Sequence, residues 1–271
     1  MTPDVLYHYC STETLLAIVQ TGQVRLSSLR QSNDHLEGRL LVQHLYDFAR
    51  QKGFNEQFMQ HLVNAMRPFE LAIDGLALCL SSKGDLLSQW RGYGGEARGA
   101  SLGFDVRYLR AKERPTDDNG GLALLEVQYD LDEHRRRVEK QFPNVQGLVE
   151  KLQTISPRGD MEELLAALQT AMLGLLGDVF ALKSPAFREE AEWRLIRMIH
   201  VQAQGLGYRA TGSRLIPFAT LSIRATPNES HAIRQVILGP RHETPPQVVK
   251  MMLEQHGFPG VEVTRSVASF R

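Results

Sequence analysis

The spacing of apolar and polar positions changes along the chain, and the changes separate short strands from longer helices. Val5 to Tyr9 reads as a strand, with Tyr7 and Tyr9 on one face and His8 on the other. Ser11 offers a hydroxyl to the free amides of a helix over Thr12 to Gln20, and Gly22 stands at its C-terminal stop. Val24 to Ser27 predicts a second strand, and helical periodicity follows over Leu36 to Gln51 and Asn55 to Met66. Leu76 to Ser82 is an apolar run ending in two serines, the pattern of a buried strand. Asp85 is placed to cap a short helix carrying Trp90 and Tyr93, which three-residue spacing puts on one face.

Ala100 to Phe104 and Leu122 to Tyr129 predict further strands. Helical character then runs from about Leu131 to Leu182, with breaks expected near Pro143 and at Ser156 to Gly159. Its composition differs from both flanks, so residues 131–182 read as a helical insertion within a single domain spanning 1–271. Strand character returns at Glu192 to Val201, Leu215 to Ile223, Gln235 to Leu238 and Val261 to Thr264, with a helix over Pro245 to His256. Strands and helices are interspersed without regular βαβ spacing, which predicts the α+β class.

Composition narrows the function classes. The 271 residues are 42% hydrophobic and 23% charged, and 31 basic residues balance 31 acidic ones. This is globular composition without the basic excess of a dedicated nucleic-acid binder. The run Arg135 to Arg137 reads as a solvated helix face. The apolar stretch Leu164 to Leu182 is interrupted by Gln169, Thr170 and Asp178, which fits a buried helix better than a membrane span. The N-terminus lacks the basic start and apolar run of a signal peptide, so a cytoplasmic protein is expected. Cys10 and Cys79 form no C-x-x-C pair, and the nine histidines show no paired metal-ligand spacing, so no metal site is expected.

Four stretches have residue types that carry chemistry. In Leu6 to Ser11, His8 points either into a site or into the core. In Asn33 to Gly38, Asn33 or Asp34 caps the next helix or belongs to a polar loop over a ligand. Ser81 and Ser82 end a strand and precede Trp90 and Tyr93, and a one-residue register decides which serine faces a site. The fourth stretch, Lys183 to Ile196, brings in Glu190, Glu192 and Arg194. If strand geometry begins by Glu190, all three share one face. Two close carboxylates tend to raise one pKa, an arginine opposes this, and the set is either an acid/base constellation or a surface salt-bridge ladder.

These motifs in this order resemble a bacterial family catalogued as domain of unknown function 2971. The resemblance rests on Leu6 to Ser11, Asn33 to Glu37, Cys79 to Ser81, Trp90 to Tyr93, Gly99 to Asp105, Lys183 to Arg194 and Ile237 to Gly239. His35 stands where the family usually has proline, and Phe187 where an aromatic, often tryptophan, is expected. A looser likeness is to ADP-ribosyltransferases, whose triad of Arg or His, Ser or Tyr, and Glu within E-x-E matches the order His8, Ser81, Glu192.

That likeness implies a split β-sheet core and NAD as substrate. Glu192 would stabilise the oxocarbenium-like ribose, Ser81 would hold Glu192, and His8 would orient a ribose or phosphate. Glu190 would activate an acceptor whose identity is unknown. Tyr9, Trp90 or Tyr93 would stack on the nicotinamide, with Asn33, Ser82 and Arg194 completing the cofactor-binding set. The alternative is a non-catalytic module that binds a nucleotide, with a protein partner on the helical insertion.

Overall fold

The computed structural model describes residues 3–32, 38–115, 121–154, 167, 171, 174–200, 202–224 and 231–269. The chain opens as its local signals dictate. Strand β1 (Val5–Cys10) leads into helix α1 (Thr12–Thr21) and strand β2 (Gln23–Ser28). Ser11 is extended at φ −70° and ψ 164°, and its hydroxyl accepts the amide of Thr14 at 3.3 Å. Gly22 takes the left-handed φ of 63° and returns its amide to the Ile18 carbonyl.

The strands that follow are β3 (Ile73–Ser81), β4 (Ala100–Asp105), β5 (Ala123–Glu126), β6 (Glu192–His200), β7 (Gly207–Thr211), β8 (Arg214–Ser222), β9 (Ile233–Leu238) and β10 (Glu262–Arg265). All ten join one sheet, antiparallel except for the β9–β10 pair. Its centre is β3. One edge of β3 pairs with β6 over nine residues, from Ile73 opposite His200 to Ser81 opposite Glu192.

The other edge of β3 is shared. β2 pairs at Leu76 and Ala77, and β1 touches only at Ser81, opposite Tyr7. In the fork between them, the Cys79 carbonyl accepts a hydrogen bond from His8 Nδ1 at 2.9 Å. A carbonyl can only accept, so the proton sits on Nδ1 and the neutral ring keeps its lone pair on Nε2. Burial lowers the His8 pKa and favours that neutral form.

Alternation along β3 divides two cores. Leu76, Leu78 and Leu80 face one core, shared with α1, the helix α5 (Val106–Ala111) and the helix Pro246–Gln255. Ala77 and Ile196 face the other, walled by α2 (Leu40–Gln51), α3 (Glu56–Ala72) and α6 (Leu131–Thr154). Each fully buried leucine contributes roughly 1.5–3 kcal/mol of transfer free energy.

The expected break at Pro143 does not occur. Helix α6 runs through it, because Phe142 and Val145 on either side are both buried, which offsets a proline penalty of about 3 kcal/mol. Residues 131–154 therefore form a wall of the second core, in contact with α2 and α3. The second expected break, at 156–159, lies outside the described residues. Mixed α and β structure around one large sheet agrees with the expected class.

Two histidines tie this helical layer together. His134 on α6 is buried, and its Nε2 lies 2.8 Å from the Gln128 carbonyl. That nitrogen must donate, which leaves Nδ1 to accept from His44 Nε2 on α2 at 3.3 Å. Burial, and then the neighbouring His134, lower the His44 pKa, with Asp47 opposing weakly. The unfolded chain therefore binds more protons near pH 6, and stability falls as pH drops through about 6.5. Urea denaturation should show this fall in the wild type and a smaller one in His44→Gln, which keeps a donor but cannot titrate. Equal pH dependence in the two proteins would refute the pair's role.

Candidate functional site

The strongest polar constellation lies where β6 begins. The Lys183 amide donates to the Gln128 carbonyl, the Gln128 amide bonds the Ala181 carbonyl, and Ser184 then caps a 3-10 helix over Pro185–Glu190 through the Ala186 amide. Ala191 adopts the left-handed region at φ 44° and ψ 51°, and only then does β6 start. Glu190 therefore precedes the strand, which corrects the expectation that it shares strand geometry with Glu192. The turn at Ala191, rather than strand pairing, brings the two carboxylates to the same lysine.

That lysine is Lys183. Its Nζ lies 2.6 Å from Glu190 Oε2 and 2.8 Å from Glu192 Oε2. Arg194 closes the cluster from the strand. Its Nε donates to Glu192 Oε1 at 2.8 Å, its Nη2 to Glu192 Oε2 at 2.9 Å, and its Nη1 to the Phe180 carbonyl at 2.7 Å. The backbone amide of Glu192 is held by the Tyr129 hydroxyl at 3.0 Å. Lys183, Glu192 and Arg194 are buried, while Glu190 keeps 16% of its side chain exposed. Two cations meet two carboxylates, so the quartet is neutral as a whole.

The energetics follow from burial and pairing. Burial alone would raise the Glu192 pKa. The charge and hydrogen bonds of Arg194, then those of Lys183, outweigh it and hold the carboxyl at about 2. Burial would likewise lower the Lys183 pKa, but Glu192 and Glu190 raise it above the ordinary lysine value. Glu192 is therefore ionised at every physiological pH, with both oxygens occupied. It is not the elevated-pKa acid that two adjacent carboxylates suggest.

The other expected residues divide into those near this quartet and those apart from it. Ser81 sits directly opposite Glu192, and its hydroxyl donates to the Glu190 carbonyl at 2.7 Å while accepting the Lys83 amide. Ser81 is thus the serine whose hydroxyl bonds the backbone of the quartet. Ser82 instead bonds its amide to the Ala191 carbonyl and lines a shallow hollow of about 380 Å³ with Glu126, Tyr129, Asp130, Arg188 and Glu192. Tyr93 donates to Glu190 Oε1 at 3.3 Å, and burial, then Glu190, raise its pKa.

His8 does not join them. Tyr7 is the residue opposite Ser81, so Tyr7, Ser81 and Glu192 share one face of the sheet. His8 is on the other, opposite Leu102 of the first core. Tyr9 and Trp90 are committed to packing. Their rings meet edge to face at 4.8 Å, and the Tyr9 hydroxyl is taken by the Lys83 carbonyl and the Leu86 amide. Trp90 is wholly buried and Tyr93 is 47% exposed, so they do not share a face. Asn33 lies outside the described residues.

The short helix α4 (Leu87–Gly92) corrects a further expectation. Its N-cap is Leu86, without a side-chain cap, and the Asp85 carboxylate instead accepts the Trp90 indole N–H at 2.6 Å.

Residues 89–195 match the model of a family described as a protein of unknown function, DUF2971. The match covers less than half of the chain and runs from α4 into β6, so it holds Trp90, Tyr93 and the whole quartet. No curated protein and no solved structure matches the chain. Among the described residues, no helix is long and apolar enough to cross a membrane, and no group of three or more metal-ligating side chains is present.

Lys183 and Tyr129 are the members of the cluster that sequence reasoning assigned no role. The lysine stands in the same stretch of sequence, seven positions before Glu190, but only the intervening 3-10 helix turns it back. Tyr129 comes from the end of a different segment and carries no local signal.

Removing one partner of a buried pair strands the other charge. Arg194→Met should cost about 3–5 kcal/mol in urea unfolding, whereas Arg194→Met combined with Glu192→Leu should cost less, because Lys183 and Glu190 still balance. A double variant as unstable as the sum of the singles would contradict this coupling. The pH dependence has a fixed sign. A depressed carboxyl pKa contributes stability that is complete above its unfolded value near 4.5 and is lost as pH falls toward about 2. Acid unfolding of Glu192→Gln should show a shallower slope across that window.

Proposed function

We propose that the chain binds a nucleotide-like ligand, a flat ring carrying phosphate, on the face where α4 meets the 3-10 helix. The observation that carries this reading is the position of two partly exposed aromatic rings over the Lys183–Glu190 ion pair. Tyr93 is bonded to Glu190 through its hydroxyl, and Lys183 lies 4.9 Å from the Phe187 ring centre. Their exposures, 47% and 37%, are high for side chains this large. Aromatic faces stack bases and nicotinamide-like rings at low entropic cost, and the exposed Arg188, which follows Phe187 in the 3-10 helix and lines the neighbouring hollow with Ser82 and Asp130, would suit phosphate. The quartet beneath gives that surface a rigid floor.

A second reading is an NAD-consuming transferase or glycohydrolase, and one observation favours it. Glu190 is the carboxylate of the pair that reaches the surface, next to the Tyr93 hydroxyl and the Ser81-bound backbone. Stabilising an oxocarbenium-like ribose needs a carboxylate oxygen that faces the substrate. Glu192 has both oxygens bonded to Arg194 and Lys183, and His8 faces the opposite core, so the expected triad does not fit this role. In this reading the reacting acid is Glu190, while Glu192 positions Lys183 and Arg194.

Both readings meet in one experiment. NAD, ADP-ribose and ATP are titrated into the protein while thermal unfolding and nicotinamide release are followed. Binding at 100 times the dissociation constant should add about 2.7 kcal/mol of stability, and Tyr93→Ala should remove most of the gain. Nicotinamide release that disappears in Glu190→Gln would select the enzymatic reading. Absence of stabilisation by all three nucleotides would overturn the binding proposal.

A further inference from the structure

We propose that the segment after β10 is a latch that sets the position of α4, and through it the Tyr93 face. Asp85 is the centre of this device. Its Oδ1 accepts the Trp90 indole N–H and also the Ser266 hydroxyl, and its Oδ2 accepts the Val267 amide at 2.8 Å. The contacts to Ser266 and Val267 join residues about 180 positions apart in sequence. The latch is anchored on both sides. Upstream, the Ser266 amide bonds the Leu238 carbonyl, and Arg265 donates to the carbonyls of His242 and Thr244. Downstream, Ala268 bonds its amide to Ser266 Oγ and packs against the cluster of Tyr9, Trp90, Ala97 and Ile237.

The consequence runs through Trp90. A six-residue helix is too short to hold its own shape in water, so α4 depends on tertiary partners. It has no side-chain N-cap, and Trp90 is its only wholly buried residue. The indole is held at its nitrogen by Asp85 and at its ring by Tyr9, whose hydroxyl in turn takes the Leu86 amide just before the helix. The Tyr93 amide bonds the Gln89 carbonyl, so the ring that reaches Glu190 moves with this turn. Release of Asp85 from Ser266 and Val267 leaves the Trp90 indole as the remaining one of these three partners and opens the carboxylate to solvent, which weakens its hold on the helix. A partner or modification that removes residues 266–269 from Asp85 would thus loosen the ligand face without touching it. The link to ligand rests on the binding proposal above; the link to α4 does not.

The test uses the full chain with 5-fluorotryptophan, in a Trp193→Phe background so that Trp90 alone reports. Ser266→Ala removes the hydroxyl donor, and a chain ending at Arg265 removes the latch while keeping β10. Hydrogen exchange at residues 87–93 and the Trp90 fluorine signal are compared with the parent, alongside nucleotide binding. Exchange at least tenfold faster in the truncated chain, with an intermediate value for Ser266→Ala and unchanged protection in β3 and β6, supports the latch. Unchanged protection of α4 in both variants overturns it. Loosened α4 in a protein that binds no nucleotide in any form keeps the latch and refutes the binding proposal instead.

Discussion

Everything near the start of β6 depends on burying the Glu192 carboxylate, with Glu190 half-buried beside it, against two cations. A single ion moved out of water costs several kcal/mol, and only close, hydrogen-bonded partners offset it. Here the Arg194 guanidinium grips both oxygens of Glu192, and the Lys183 ammonium bridges Glu192 to Glu190. The quartet has a second effect. Its members come from the segment before the 3-10 helix, from that helix, and from β6, so satisfying the charges fixes three pieces of backbone against one another. Ser81 and Tyr129 add bonds from β3 and from the chain just before α6. Rigid placement of the exposed rings above follows from this floor.

The fork in the sheet is the second constraint. Sharing one edge of β3 between β1 and β2 leaves backbone groups between them without ladder partners. The Cys79 carbonyl lies in this gap, and the His8 imidazole donates to it. His8 thus acts as a side-chain substitute for a missing strand bond. That role explains a histidine in the middle of an apolar strand without assigning it to a ligand.

Local signals were legible where the physics is local. The β1–α1–β2 unit was readable because Ser11 and Gly22 cap within a few residues, and the alternation of Tyr7, His8 and Tyr9 was read correctly. What alternation could not supply was the register of Tyr7 opposite Ser81, which puts Ser81 on the tyrosine face and separates it from His8. Glu190, Glu192 and Arg194 were picked out as a set, but the left-handed turn at Ala191 has no residue signature, since alanine rarely adopts it. Asp85 resembled a helix cap until Trp90 and the distant Ser266 claimed its oxygens. The short helix α5 and the exposed strand β7 were missed, the first being six residues long and the second burying none of its side chains fully.

The account stands or falls on the protonation behaviour of one side chain. Carbon-13 labelling of the glutamate carboxyls, with Glu192 assigned through Glu192→Gln, allows its titration to be followed directly by NMR in the folded protein. A paired, buried Glu192 stays ionised down to the acid limit of the fold, with a midpoint well below the ordinary carboxylate range. A midpoint near or above 4.5 would mean that Arg194 and Lys183 do not hold the charge, and the view of the quartet as a neutral structural floor would be wrong.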